Sequence, residues 1–133
     1  MHGSLTRGGG AAGSTYSDIV LTNIGGHACT SGGFAGVSYV DSPHGPSIGA
    51  PAERRDAHAM HLLVLRPGAR IVAQLQETNS ANYDPGTCRS ARATGLRVFP
   101  PNQKASLFLH HGATACRNAK VKLLSIRPFH LAH

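Results

Sequence analysis

The chain has no tryptophan, and three tyrosines and four phenylalanines are its only aromatic residues. These rings must furnish the core as well as any stacking surface, which leaves few platforms for a single-stranded nucleic acid. No apolar run approaches the roughly 20 residues that a membrane-crossing helix needs, so no transmembrane segment is expected. Charge is scarce: 14% of residues are charged, where an average soluble domain has about a quarter. The surface must therefore be polar mainly through uncharged groups. Only six carboxylates are present, Asp18, Asp41, Glu53, Asp56, Glu77 and Asp84. They are dispersed, and no two stand at a spacing that suggests an acid/base pair. Asp41, Asp56 and Asp84 lie beside turn residues and are expected to satisfy local backbone amides. There is no Cys-x-x-Cys, so zinc-ribbon and thioredoxin readings lack support. A Gly-x-Ser-x-Gly elbow and a phosphate loop with its lysine are missing as well. Hydroxyls such as Ser14, Thr15 and Ser31 are plentiful, but none has an identifiable activating base.

What is abundant is turn-forming sequence. Sixteen glycines and eight prolines in 133 residues punctuate short β-forming runs, the pattern of an antiparallel sandwich or barrel rather than of βαβ units. One domain with one core is expected, burying roughly two-thirds of the unfolded surface, and a hydrophobic content of 41% argues against disorder. Strands are predicted at Ser17 to Thr22, with Ile19 and Leu21 inward, and at Gly36 to Val40, with Val37 and Tyr39 sharing a face. Leu62 to Leu65 and Ile71 to Leu75 flank Arg66-Pro67-Gly68 and read as a hairpin. Leu96 to Phe99, Ser106 to Leu109 and Val121 to Ile126 bring the set to about seven strands. Pro100-Pro101-Asn102 marks a corner or an edge. Pro51 to His61 reads as a loop with at most one short helical turn. Residues 1–13 read as a flexible lead-in, 14–128 as the sandwich and 129–133 as a C-terminal tail.

Gly8 to Gly13 formally contains Gly-x-Gly-x-x-Gly, but a dinucleotide site needs a strand before it and a helix after it. Here a strand follows, and the motif is rejected. Nine histidines make metal binding the sharpest chemical hypothesis. His58 and His61 stand three apart, His110 and His111 point to opposite sides of a strand, and His130 and His133 lie in the tail. Scattered solvated histidines are the plainer reading. No cofactor is implied. The net charge of +7 is spread from Arg54-Arg55 through Arg89, Lys104 and Lys120 to Arg127, without a run of five or six. Specific nucleic-acid binding is disfavoured, and attraction to an anionic polymer or surface is the simpler use of that charge. The three cysteines, Cys29, Cys88 and Cys116, are thiols if the chain is cytosolic; an exported chain pairs two and leaves one.

Several blocks, in order, resemble an actinobacterial exported family known only as a domain of unknown function (number four-two-three-two). They are Gly10-Ala11-Ala12-Gly13-Ser14-Thr15-Tyr16, Leu21-Thr22-Asn23 with Cys29, and Gly33 to Asp41. They continue with Ile48-Gly49-Ala50-Pro51-Ala52, Leu65 to Gly68, Asn82-Tyr83 before Cys88, Ala93 to Pro101, and Ala115-Cys116. The resemblance covers residues 10–126 and implies an immunoglobulin-like sandwich from a secreted or cell-envelope protein, with no reaction or catalytic residue attached to it. It also implies that Cys88 and Cys116 form a disulfide closing a loop of about 28 residues, stabilising by roughly 3–4 kcal/mol on chain-entropy grounds. Members carry a further cysteine and a signal peptide upstream. Neither is in this chain, so Cys29 is expected as a free or intermolecular thiol, a missing N-terminal strand is suggested, and Met1 to Arg7 reads as a scar or a late start.

The function expected is that of an exported, non-enzymatic envelope module contacting a protein or an anionic polymer through loops at one end of the sandwich. The alternatives are an envelope metal-binding protein using His58, His61, His110 or His111, and a hydrolase with converging Ser, His and Asp.

Overall fold

The computed structural model describes residues 1–11, 13–101 and 105–132. Of the residues singled out above, Ala12, Asn102, Lys104 and His133 lie outside the described residues. Twelve strands are found among the described residues. Strands β1 (His2–Ala11), β2 (Ser14–Thr22), β8 (Arg70–Thr78), β11 (Leu124–Ile126) and β6 (Glu53–Arg54) form one sheet in that order, with β12 (His130–Leu131) also on β8. The second sheet runs β10 (Leu107–Cys116), β9 (Ser90–Phe99), β4 (Gly36–Val40), β5 (Ser47–Ile48). A separate ribbon pairs β3 (Cys29–Gly32) with β7 (Leu62–Leu65).

Alternation of side chains builds the core between the sheets. Ile19 and Leu21 from β2 and Ile71, Ala73 and Leu75 from β8 meet Val37, Leu96, Val98 and Leu109 from the other sheet, as the period of two in a half-buried strand requires. The chain is thus an all-β sandwich. All seven expected strands are present, most of them longer than read from sequence. The five others are β1, β3, β5, β6 and β12. The expected lead-in is β1, laid antiparallel along β2, and the expected tail holds fully buried Phe129 and β12 on β8. One pair departs from the antiparallel rule: β6 lies parallel to β11. Of Val121 to Ile126 only Leu124–Ile126 pairs, although Val121 and Leu123 are buried between exposed Lys120 and Lys122 as expected.

The hairpin expected around Pro67 does not form. The turn itself is as read, with Ala69 N–H donating to the Arg66 carbonyl at 2.9 Å and Gly68 at φ 84°, the type II arrangement. Unprimed turns splay the strands that flank them, so β7 leaves for β3 while β8 enters the large sheet. Asn23 fills the gap. It donates from Nδ2 to the Leu65 carbonyl at 2.9 Å, accepts from Gly68 N–H at 2.8 Å and donates its own N–H to Ala69 at 3.0 Å. Pro51 to His61 holds the two residues of β6 and one 3-10 turn, Ala57–Ala59. Further turns follow at Ser80–Asn82 (3-10) and at α1 (Pro85–Cys88).

Candidate functional site

Two β-bulges sit at the same end of the sandwich. The β1–β2 register shifts between Arg7 and Gly10, setting Gly8 and Gly9 against the single residue Tyr16. The β10–β9 register shifts between His110 and Ala113, setting His111 and Gly112 against Thr94. A bulge bends its strand and re-aims a side chain. Between the two bulged strands opens a cleft of about 1030 Å³, lined from one sheet by Arg7, Tyr16 and Glu77 and from the other by Tyr39, His111 and Thr114. The loop after β8 closes its side. Asn79 accepts from Ala81 N–H at 3.0 Å to start the 3-10 turn, and Asn79 N–H and Asn82 Nδ2 both donate to the Gly13 carbonyl, at 2.8 and 3.0 Å. The loop then runs through α1 to Cys88, which is disulfide-bonded to Cys116 at the end of β10 across a Cα separation of 4.7 Å.

At the floor of the cleft a hydrogen-bond chain joins the sheets. Tyr39 Oη donates to Glu77 Oε2 at 2.5 Å, and Glu77 Oε1 meets His111 Nε2 at 2.7 Å. Burial works against the Glu77 charge. Hydrogen bonds from His111 and Tyr39, with the charges of His111 and Arg7, outweigh it and hold this carboxyl below its usual range. Burial first, then the Glu77 charge and the hydrogen bond to it, pushes the Tyr39 phenol above its ordinary value, so it remains a donor. An ionised carboxylate only accepts, so His111 must carry a proton on Nε2, which leaves Nδ1 outside this pairing. Among the described residues no hydroxyl or thiol bonds that nitrogen. The arrangement orients an imidazole without presenting it with a nucleophile.

The residues expected from sequence are distributed as follows. Cys88 and Cys116 are paired, and half-buried Cys29 is the free cysteine. His111 is in the cleft, while its neighbour His110 is exposed and stacks edge-on with Phe108. His58 and His61 line a second cleft of about 510 Å³ with His130 and Asp18. Among the described residues no three of His, Cys, Asp or Glu come together to hold a metal. Converging Ser, His and Asp are likewise not found among the described residues. The three aspartate expectations fail: Asp56 caps nothing and pairs with Arg127 at 2.7 Å, Asp84 makes no side-chain cap, and Asp41 takes part through its backbone carbonyl, which accepts from Thr94 Oγ1 at 2.7 Å. The side-chain amide oxygens of Asn23, Asn79 and Asn118 perform that task instead, each accepting from a backbone N–H two residues on.

Glu77 and Tyr39 were missed as site residues, and a signal for the first was available. Ile71, Ala73, Leu75 and Glu77 follow one another at a period of two, so extending β8 past Leu75 puts Glu77 on the core face. A buried carboxylate needs partners, which lie 38 and 34 residues away.

No curated protein and no solved structure matches this chain. A family model does match, over residues 2–130, and so the chain belongs to the family described as Domain of unknown function (DUF4232).

Proposed function

We propose that this protein is an exported, non-enzymatic binding module of the cell envelope, and that it engages its partner through the cleft above Glu77. The cleft carries the reading: it is about 1030 Å³ in volume, it is walled by both sheets, and its floor is pre-organised by the Tyr39–Glu77–His111 chain. Concavities of that size with a few placed polar groups are where proteins take ligands, and loops held on a rigid sheet commonly make the contact. An oriented imidazole with no nucleophile bonded to it among the described residues favours binding over covalent catalysis. The Cys88–Cys116 disulfide supports an oxidising compartment, and the charge of +7 favours an anionic one.

Immobilised protein is expected to retain a component of the envelope fraction of its own cells. Thr114→Trp, which places an indole in the cleft from an exposed position, should abolish retention, and Lys122→Ala, exposed and outside the cleft lining, should not. Retention indifferent to Thr114→Trp removes the cleft from the function. Recovery of the native protein in the cytosol with all three cysteines reduced removes the compartment.

A further inference from the structure

The chemistry of the cleft narrows the ligand. Glu77 is the only carboxylate among its described lining residues, and both of its oxygens are occupied, one by Tyr39 and one by His111. The floor therefore has no free carboxylate to receive a cation. Arg7, by contrast, stands exposed at the rim in β1 and makes no ion pair among the described residues. Among the described lining residues the fixed charge open to an incoming molecule is thus that of Arg7, and it is positive. Around it the lining is hydroxyl-rich and carries two half-buried rings, Tyr16 and Tyr83, whose phenols hydrogen-bond to nothing among the described residues. An aromatic face takes the C–H face of a sugar ring, its phenol takes a ring hydroxyl, and a guanidinium takes a carboxylate in a two-pronged contact. His111, its ring held by Glu77 through Nε2, adds a polar group of fixed orientation to the lining.

From this juxtaposition we infer that the cleft binds an acidic saccharide, a sugar bearing carboxylate groups, with Arg7 and His111 meeting the polar groups and Tyr16 and Tyr83 the rings. The inference rests on the reading of the cleft as the binding site and assigns its ligand class. An unpaired positive charge alone would suit any polyanion. The two tyrosine rings in the same lining distinguish a saccharide.

The test is calorimetric titration of the whole chain, in buffer of physiological ionic strength, with polygalacturonate, with neutral dextran and with polyphosphate. Polygalacturonate should bind, and dextran and polyphosphate should bind at least tenfold more weakly. Arg7→Gln should weaken polygalacturonate at least tenfold, and Tyr83→Leu by a similar factor, while Lys122→Gln, which removes the same charge elsewhere, should stay within twofold. Thermal melts matching the wild type establish that the variants are folded; Arg7 is exposed, and its replacement opens no cavity. Failure to bind polygalacturonate overturns the inference. So does polyphosphate binding equally well, or Arg7→Gln and Lys122→Gln behaving alike, since either outcome reduces the effect to net charge. Retention of envelope material that depends on Thr114, without any binding of polygalacturonate, sinks the ligand class and leaves the module reading intact.

Discussion

Glu77 is the residue on which the two sheets agree. It stands on β8 in the large sheet, and both of its hydrogen-bond donors come from the opposite one. Deleting either donor leaves a buried charge partly unsatisfied, at a cost of about 1–3 kcal/mol or more. Tyr39→Phe is therefore expected to lower stability in urea unfolding by about that amount without change of fold. The pH dependence follows from the sign of the shift. A carboxyl held below its usual range in the folded state contributes stability that is present above the unfolded value of about 4.3 and is lost as pH falls through the folded value. Unfolding free energies measured from about pH 7 down to about pH 3 should fall in the acid range, and Glu77→Gln should flatten that part of the curve. An unchanged acid limb in Glu77→Gln would place the dependence on other carboxyls. Ser31 is the opposite case: its Oγ is buried with no partner among the described residues, so Ser31→Ala should leave Tm unchanged or raise it.

At the scale of elements, glycines do two different jobs. Gly68 is at φ 84° with open space where a Cβ would stand, so Gly68→Ala costs only the left-handed backbone penalty, about 1–2 kcal/mol. Gly95 has ordinary backbone but lies against the Phe108 ring and the Leu109 carbonyl, both closer than a Cβ tolerates. Gly95→Ala must therefore push β10 off β9, and should lower Tm by more than Gly68→Ala does; the reverse order would contradict the close approach. The phase of burial in β9 also changes here, from Ala93 to Leu96 and Val98, next to the point where β10 carries its extra residue between His110 and Ala113. The Pro67 turn was legible because proline and glycine fix local dihedrals. The destination of its strands was not, because pairing is decided by the Asn23 segment, more than 40 residues upstream.

For the whole molecule, the disulfide links the cleft loop to β10 over a sequence separation of 28, and reduction should cost roughly 3–4 kcal/mol in unfolding free energy. Alkylation of the unreduced, unfolded chain followed by mass measurement should give one adduct, at Cys29; three adducts would mean that the Cys88–Cys116 bond does not form in the isolated protein. Because Cys88 lines the cleft, reduction is also expected to weaken any ligand held there before the sandwich itself melts.

The sequence by itself determined the all-β class, the seven principal strands, the inward faces of β2 and β4, and, through a family resemblance, the cysteine pair. These follow from local rules: alternation at a period of two, turn residues with restricted dihedrals, and motif blocks in order. The tertiary structure alone decided that β1 completes the large sheet, that β7 and β8 part company, and that Tyr39, Glu77 and His111 meet. The reason is the same in each case. A strand edge, a splayed turn or a buried carboxylate has a local cost that several distant partners could relieve, and only the packing of one sheet on the other selects which partner does so.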